Sequence, residues 1–174
     1  NAGKARSQGV EADGSFEVTR GITLNASVAY LDGKYLDFLG AVCPYNLAGC
    51  VPATFNAAGY PLTRSPKWSG TIGFNAEIPI SDAINFITSG NMSFRSFNYL
   101  EESYNPVMGQ DAYQKYDLRA GIRSSDRRWE TAIIGKNLTN EITASHAFGT
   151  PVTGGITKYI QEPRTIAAQI RLQF

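Results

Sequence analysis

The 174-residue sequence has one histidine, His146, and two cysteines, Cys43 and Cys50. These are the residue types best suited to chemistry, and their surroundings narrow what they could do. A covalent enzyme needs a nucleophile with a general base in reach. No serine motif surrounds His146, so an enzymatic reading finds no support. Two cysteines and one histidine do not supply the four ligands of a structural zinc site. His146 could ligate a haem iron or another metal, although a lone loop histidine is more often simply solvated. Glu101 and Glu102 could attract a cationic ligand, but exposed paired acids are commonplace. Cys43 and Cys50 bracket the run CPYNLAGC. Their short spacing, with Pro, Tyr, Asn and Gly nearby, reads as a local disulfide pinning a loop. Such a small ring is worth about 2–3 kcal/mol in the loop-entropy model. It would imply an oxidising compartment; the alternative is two unpaired thiols in a cytosolic loop.

What remains is capture rather than catalysis. Three long polar stretches carry rings: Tyr35, Tyr45, Phe55 and Tyr60 in the first, Tyr99 and Tyr104 in the second, His146 and Phe148 in the third. Aromatic side chains give contact area at low entropic cost, which suits an exposed binding surface. Tyr45, Phe55, Tyr60, Tyr104, His146 and Phe148 are the loop residues expected to meet a ligand. The alternative is that these rings pack the loops together or form an interfacial girdle.

The elements that must hold such loops show apolar alternation with period two. Ile166, Ala168, Ile170, Leu172 and Phe174 alternate with Thr165, Ala167, Gln169, Arg171 and Gln173. Tyr116, Leu118, Ala120 and Ile122 alternate with Lys115, Asp117, Arg119 and Arg123. The same parity runs through Val10 to Val18, Ile22 to Tyr30, Trp68 to Ile78 and Ile84 to Phe94. The segment from Trp129 to Leu138 is ambiguous, because Ala132, Ile133 and Ile134 are adjacent. No useful window shows the i, i+3, i+4 spacing of an amphipathic helix. The pattern predicts seven antiparallel strands over 4–18, 21–32, 67–78, 83–98, 112–123, 128–140 and 162–174. Several approach the roughly 9–11 tilted residues that cross a bilayer. The connections alternate between short turns, near 19–21, 79–82 and 124–127, and long loops over 33–66, 99–111 and 141–161. Tight turns at one end and long loops at the other are the asymmetry of outer-membrane barrels, whose long loops face outside.

Composition agrees. The chain is 43% hydrophobic and 18% charged with a net charge of +1, which excludes a disordered tail and gives no sign of a nucleic-acid partner. A mean hydropathy of -0.22 does not exclude a membrane barrel, because only alternate residues meet lipid. The N-terminal run Asn1-Ala2-Gly3-Lys4 has no signal-type apolar core. Charges on membrane strands should face inward, since the lipid face penalises Arg or Lys by about 2–4 kcal/mol at midplane. Parity therefore places Arg95, Lys115, Asp117, Arg119, Arg123 and Arg171, with Glu77, on the inner wall. A cationic wall favours anionic ligands; the alternative is salt bridging within the barrel. An odd strand count would leave two bare edges in the hydrocarbon layer. The seven strands are therefore expected to belong to a larger barrel or to pair with another chain.

Four motifs carry a family. Gly3-Lys4-Ala5-Arg6-Ser7-Gln8-Gly9-Val10-Glu11 resembles the strand with a GVE core in TonB-dependent outer-membrane receptors. Ser65-Pro66-Lys67-Trp68-Ser69-Gly70 resembles the P-x-W opening of a later strand in that family. Lys136-Asn137-Leu138-Thr139-Asn140 is similar to its penultimate-strand motif, and Glu162-Pro163-Arg164-Thr165 with the run to Phe174 resembles its last strand. The motifs lie in the family's order along nearly the whole chain.

The resemblance implies that residues 1–174 are the C-terminal part of an all-β transmembrane barrel, the last seven strands of 22. It implies energised import of a scarce ligand through the outer membrane of a Gram-negative bacterium, with no cofactor. Ferric siderophores, haem, cobalamin, glycans and aromatic compounds are the ligand classes it admits. Implied partners are outer-membrane lipid, the remaining strands, a plug domain, TonB through that plug, and the barrel assembly machinery. Phe174 is implied to be the signal read during assembly. The family's plug domain and TonB box have no counterpart in this sequence, so gating and energy coupling fall to a parent protein or a partner chain. The competing readings are a passive porin-like channel, an outer-membrane enzyme and a soluble adhesive sandwich.

Overall fold

The computed structural model describes residues 3–43, 54–150 and 155–174. The chain opens with β1 (Lys4–Thr19) and β2 (Ile22–Asp37), followed by the two-residue β3 (Ala41–Val42) and β4 (Thr54–Phe55). Then come β5 (Trp68–Pro79), β6 (Ile84–Arg95), β7 (Asn98–Tyr99), a short 3-10 turn (Pro106–Met108) and β8 (Gly109–Gln110). β9 (Tyr113–Ser124), β10 (Trp129–Lys136), β11 (Ala144–Gly149), β12 (Ile156–Ile160) and β13 (Thr165–Leu172) complete it.

Seven of these form one antiparallel sheet in the order β1-β2-β5-β6-β9-β10-β13, each expected strand beside its sequence neighbour. The short strands form three separate hairpins, β3–β4, β7–β8 and β11–β12, all within the long connections. The short turns differ in how they close. Between β1 and β2, Gly21 adopts φ 82, and a Cβ there would sit 2.4 Å from the Glu77 carbonyl oxygen. Glycine is thus required for both conformation and space. Between β9 and β10, Arg127 takes φ 60 while Asp126 accepts the Arg128 N–H at 3.1 Å and Ser124 Oγ accepts the Trp129 N–H at 3.2 Å.

Register fixes the two faces. Val10 opposes Tyr30 and Tyr30 opposes Trp68, so the large apolar side chains of neighbouring strands share a face. That face stays exposed, with Ile72, Ile133, Ile166 and Ile170 all more than half uncovered. A sheet stabilised by burial in water would cover it, so this is the face that a lipid-facing wall would present. Adjacency of Ala132, Ile133 and Ile134 is also settled by register. Ala132 is 4% exposed and Ile133 57%, because Glu130 pairs with Arg123 and sets Glu130, Ala132 and Ile134 on the polar face.

Several strand ends differ from the sequence expectation, among them the last, where β13 closes at Leu172 rather than at 174. β6 stops at Arg95 rather than 98, and Asn98–Tyr99 pairs with β8 instead. β10 stops at Lys136 rather than 140, because Asn137 turns to φ 49 and its side chain takes over the hydrogen bonding. The last strand starts at Thr165 rather than 162, since the preceding segment is tied to Asn140. β2, by contrast, runs on to Asp37, past the apolar part of the wall.

Candidate functional site

The polar face carries a four-member ion-pair network. Arg123 donates to Glu77 Oε2 at 2.9 Å and to Glu130 Oε2 from both Nε and Nη2, at 2.8 and 2.6 Å. Arg119 bonds the other Glu130 oxygen and also reaches Gln169 Oε1 at 3.4 Å. Asn85 donates to Glu77 Oε1 at 2.8 Å. The network therefore ties β5, β6, β9, β10 and β13 across one face, and the Glu130 side chain is only 5% exposed. Arginine suits this role because its planar fork can bond two carboxylates at once. Glu130 was not among the residues singled out by parity; the signal was present but masked by the aliphatic run beside it.

The other inner-wall candidates lie on the same face without joining that network. Asp117 accepts the Asn137 N–H at 2.8 Å. Lys115 lies 5.6 Å from the centre of the Tyr113 ring, with Nζ 3.5 Å from Gln161 Oε1. Arg95 sits opposite Tyr113 and Ser69 at the long-loop end. Arg171 opposes Glu130 in register. Among the described residues neither Arg95 nor Arg171 is within 4.0 Å of a carboxylate.

Above the wall, the rings of the first two long loops meet. Phe55 stands edge-on to Tyr60 at 5.1 Å and to Tyr104 at 6.3 Å, and Tyr60 lies 4.6 Å from Tyr104. Tyr104 is 3% exposed, and its hydroxyl donates to the Pro61 carbonyl at 3.0 Å. Burial, helped by neighbouring Tyr35 and Glu102, pushes that phenol well above its usual range, so it remains a donor. Tyr35, Phe38, Ala41 and Ala57 complete this core. Burial also raises the Glu101 carboxyl, against the pull of the Ser103 N–H. Tyr45 and Cys50 lie outside the described residues; Cys43 is disulfide-bonded.

The third loop presents a second group of rings. His146 lies 6.3 Å from Phe148 and 6.0 Å from Tyr159, and Phe148 is 5.8 Å from Tyr159. Its hairpin packs against the second loop through Ala144 and Ala147, which meet Leu100 and Met108. Lys158 Nζ donates to the Gly109 carbonyl at 2.9 Å. No group of three metal-ligating side chains occurs among the described residues.

Arg64 joins all three loops and was not expected from sequence. Its backbone adopts φ 57, its N–H donates to the Tyr99 carbonyl at 2.7 Å, and its Nε donates to the Leu100 carbonyl at 3.1 Å. Its Nη2 meets His146 Nδ1, which must accept because a guanidinium only donates. Nothing in the local sequence marks Arg64, since its partners lie far along the chain.

The penultimate-strand motif forms the other junction. Asn137 Nδ2 donates to the Glu141 and Glu162 carbonyls at 2.9 and 3.3 Å, and its Oδ1 accepts the Glu141 N–H at 2.9 Å. Asn140 Oδ1 accepts the Arg164 N–H at 3.0 Å. Two asparagines thus aim the third loop and the start of the last strand. At the opposite end, the Gln173 N–H reaches the Arg128 carbonyl at 2.8 Å, leaving Phe174 fully exposed beside the last short turn.

The sequence profile of the family described as "TonB dependent receptor-like, beta-barrel" matches residues 1–139. No curated protein sequence matches the chain. Among solved structures, the ferric yersiniabactin uptake receptor FyuA from Yersinia pestis superposes with a TM-score of 0.78 at 14% identity, over 100% of this chain and 24% of that one. The siderophore receptor PiuA from Acinetobacter baumannii gives 0.71 at 14% identity, covering 95% and 21%. BauA, the ferric preacinetobactin receptor from Acinetobacter baumannii, gives 0.66 at 16% identity, covering 95% and 22%. At these identities the likeness is one of fold, and the chain spans less than a quarter of each receptor's length.

Proposed function

Because the chain belongs to the TonB dependent receptor-like β-barrel family, we propose that it is the C-terminal wall of an outer-membrane receptor for energised uptake of a ferric-siderophore-class ligand. Members of this family are outer-membrane transport proteins rather than enzymes. On this reading β1 to β13 supply the last seven wall strands of a 22-stranded barrel. The plug domain, TonB and the assembly machinery act on the parent protein. The observation that carries the reading is the sorting of the sheet. One face is apolar and exposed, the other is charged and cross-linked, and all long loops gather at one end, locked through Arg64.

The parts then have distinct roles. The Glu77–Arg123–Glu130–Arg119 network stiffens the wall. Arg95, Lys115 and Arg171 leave positive charge on the inner face, which favours an anionic ferric chelate. The Phe55–Tyr60–Tyr104 cluster and the Arg64 junction hold the loops in a fixed relation. His146 and Phe148, with Tyr159, offer the partly exposed surface that meets ligand. The names of the three similar receptors support the siderophore class.

The full-length receptor in a planar bilayer separates this reading from a passive channel. An energised receptor is electrically closed and binds a ferric siderophore from solution. A steady porin-like conductance with no siderophore binding would replace it with the channel reading.

A further inference from the structure

The inner wall and the loops are surfaces that the rest of a larger barrel could cover. The outward face cannot be covered in that way, and among the described residues of its strands it carries a charged cluster on β1 and β2 at the long-loop end. Counting up β1 and β2 on the apolar parity, Val10 opposes Tyr30, Gln8 opposes Asp32 and Arg6 opposes Lys34. Lys4 follows on the same side of β1. Arg6 Nη2 lies 2.8 Å from Asp32 Oδ2, and Lys34 Nζ lies 3.9 Å from the same oxygen. These side chains remain 31–39% exposed. The second acid nearby, Asp37, opposes Lys4 in register and also lies against Gly3, so Lys4 enters the site with a carboxylate beside it. Directly below, the Tyr30 and Trp68 rings lie 4.9 Å apart with planes tilted by 51°. Tyr and Trp rings of this kind mark the membrane–water interface. Two strand steps of two residues, at about 3.4 Å rise per residue and a tilt of about 40°, put the Arg6/Lys34 pair about 10 Å above Tyr30. That is the headgroup layer, and long basic side chains can snorkel down into it.

We propose that Lys4, Arg6 and Lys34, standing on the outward face above the Tyr30–Trp68 pair, form a binding site for the phosphate group of an outer-leaflet glycolipid. Asp32 holds Arg6 and Lys34 close together in the absence of lipid and competes with the phosphate when lipid arrives. The Tyr30 and Trp68 rings, tilted to each other, each offer an amphipathic face to the sugar to which the phosphate is attached. Arginine can bond phosphate oxygens in a fork, and lysine adds a point charge. The site depends on the long-loop end facing outward; it does not depend on which ligand the receptor imports.

The test uses the full-length receptor in phosphatidylcholine nanodiscs, with lipid binding read by native mass spectrometry. The probes are lipid A, a bisphosphorylated glucosamine disaccharide lipid, its dephosphorylated form, and inorganic phosphate. Lipid A is expected to bind well above its dephosphorylated form. Arg6→Gln with Lys34→Gln should lower its affinity about tenfold, the scale for two basic groups partly offset by a neighbouring acid. Arg6→Lys with Lys34→Arg should retain binding, which separates charge from folding. Asp32→Asn should strengthen binding by removing the competitor, a result that a purely structural salt bridge would not give. Equal binding of the two lipids, or no change in the double glutamine variant, overturns the site. Displacement of lipid A by inorganic phosphate at matched concentration would overturn the lipid assignment in favour of soluble phosphate. Binding is scored without siderophore, so failure here leaves the transport reading standing, and the reverse also holds.

Discussion

Arg123 grips one oxygen of Glu130 from two nitrogens, Nε at 2.8 Å and Nη2 at 2.6 Å, and so fixes β9 against β10 close to their short turn. Two N–H donors on one carboxylate oxygen leave the other oxygen to Arg119. The carboxylate is shut away while both arginines stay about a quarter exposed. Removing Glu130 would leave two cations facing each other. Glu130→Gln should cost about 2–3 kcal/mol, somewhat below the range for breaking a fully buried pair. The measurement is the urea midpoint of the folded barrel, followed by its heat-modifiable gel mobility.

Asn137→Ala should loosen the third loop and the start of the last strand together. Three side-chain hydrogen bonds to backbone are lost, and alanine is unfavourable at φ 49. The expected cost is about 2–3 kcal/mol. Hydrogen exchange should rise at both 141–144 and 162–165. Exchange confined to one of the two segments would contradict the junction.

Arg64→Lys should uncouple the loops while leaving the barrel wall intact. A lysine cannot reach the Leu100 carbonyl and His146 in one fork. Protease cutting in the third loop should speed up several-fold, and ligand affinity should fall, with the unfolding midpoint of the wall unchanged.

Asp126 gives a pH dependence whose direction is fixed. The Ser124 hydroxyl, then the Arg128 N–H and the Arg128 charge, hold its carboxyl below the ordinary value. A depressed folded pKa means the unfolded state binds the proton more readily. The turn's contribution is therefore complete above about pH 4, the ordinary aspartate value, and is lost as pH falls through the lower folded value. Asp126→Asn should remove that acid-side slope in the urea midpoint. Because the group lies at the surface, the change should be small.

Phe174 is the residue on which the assembly expectation rests. It stands on the lipid-facing parity at the short-turn end, held there by the Gln173 to Arg128 bond. Phe174→Ser should lower the amount of receptor inserted in the outer membrane while leaving ligand affinity of inserted molecules intact. Unchanged insertion would contradict an assembly role.

Much of the wall was legible in sequence because period-two alternation reports facing directly. Val10, Tyr30, Trp68, Ile72 and Ile170 needed no structural information to be set on one face. The strand ends were less legible. The sequence expectation carries β10 to 140, and the left-handed Asn137 with its long-range side-chain bonds stops it at Lys136. Three aliphatics in a row hid Glu130, whose facing depends on register with Arg123. The loop hairpins carried no signal, being made of two to six residues each. Arg64 was invisible because its partners are 36 and 82 residues away. The rings expected to meet ligand were found as rings, but sequence could not tell that Tyr104 is enclosed while Phe148 is partly open.

The most direct test of the receptor reading is uptake of a radiolabelled ferric siderophore by cells carrying the full-length protein, before and after collapse of the proton gradient. Saturable uptake that stops when the gradient is collapsed, while surface binding persists, is the expected result. Uptake that continues unchanged without the gradient would contradict it.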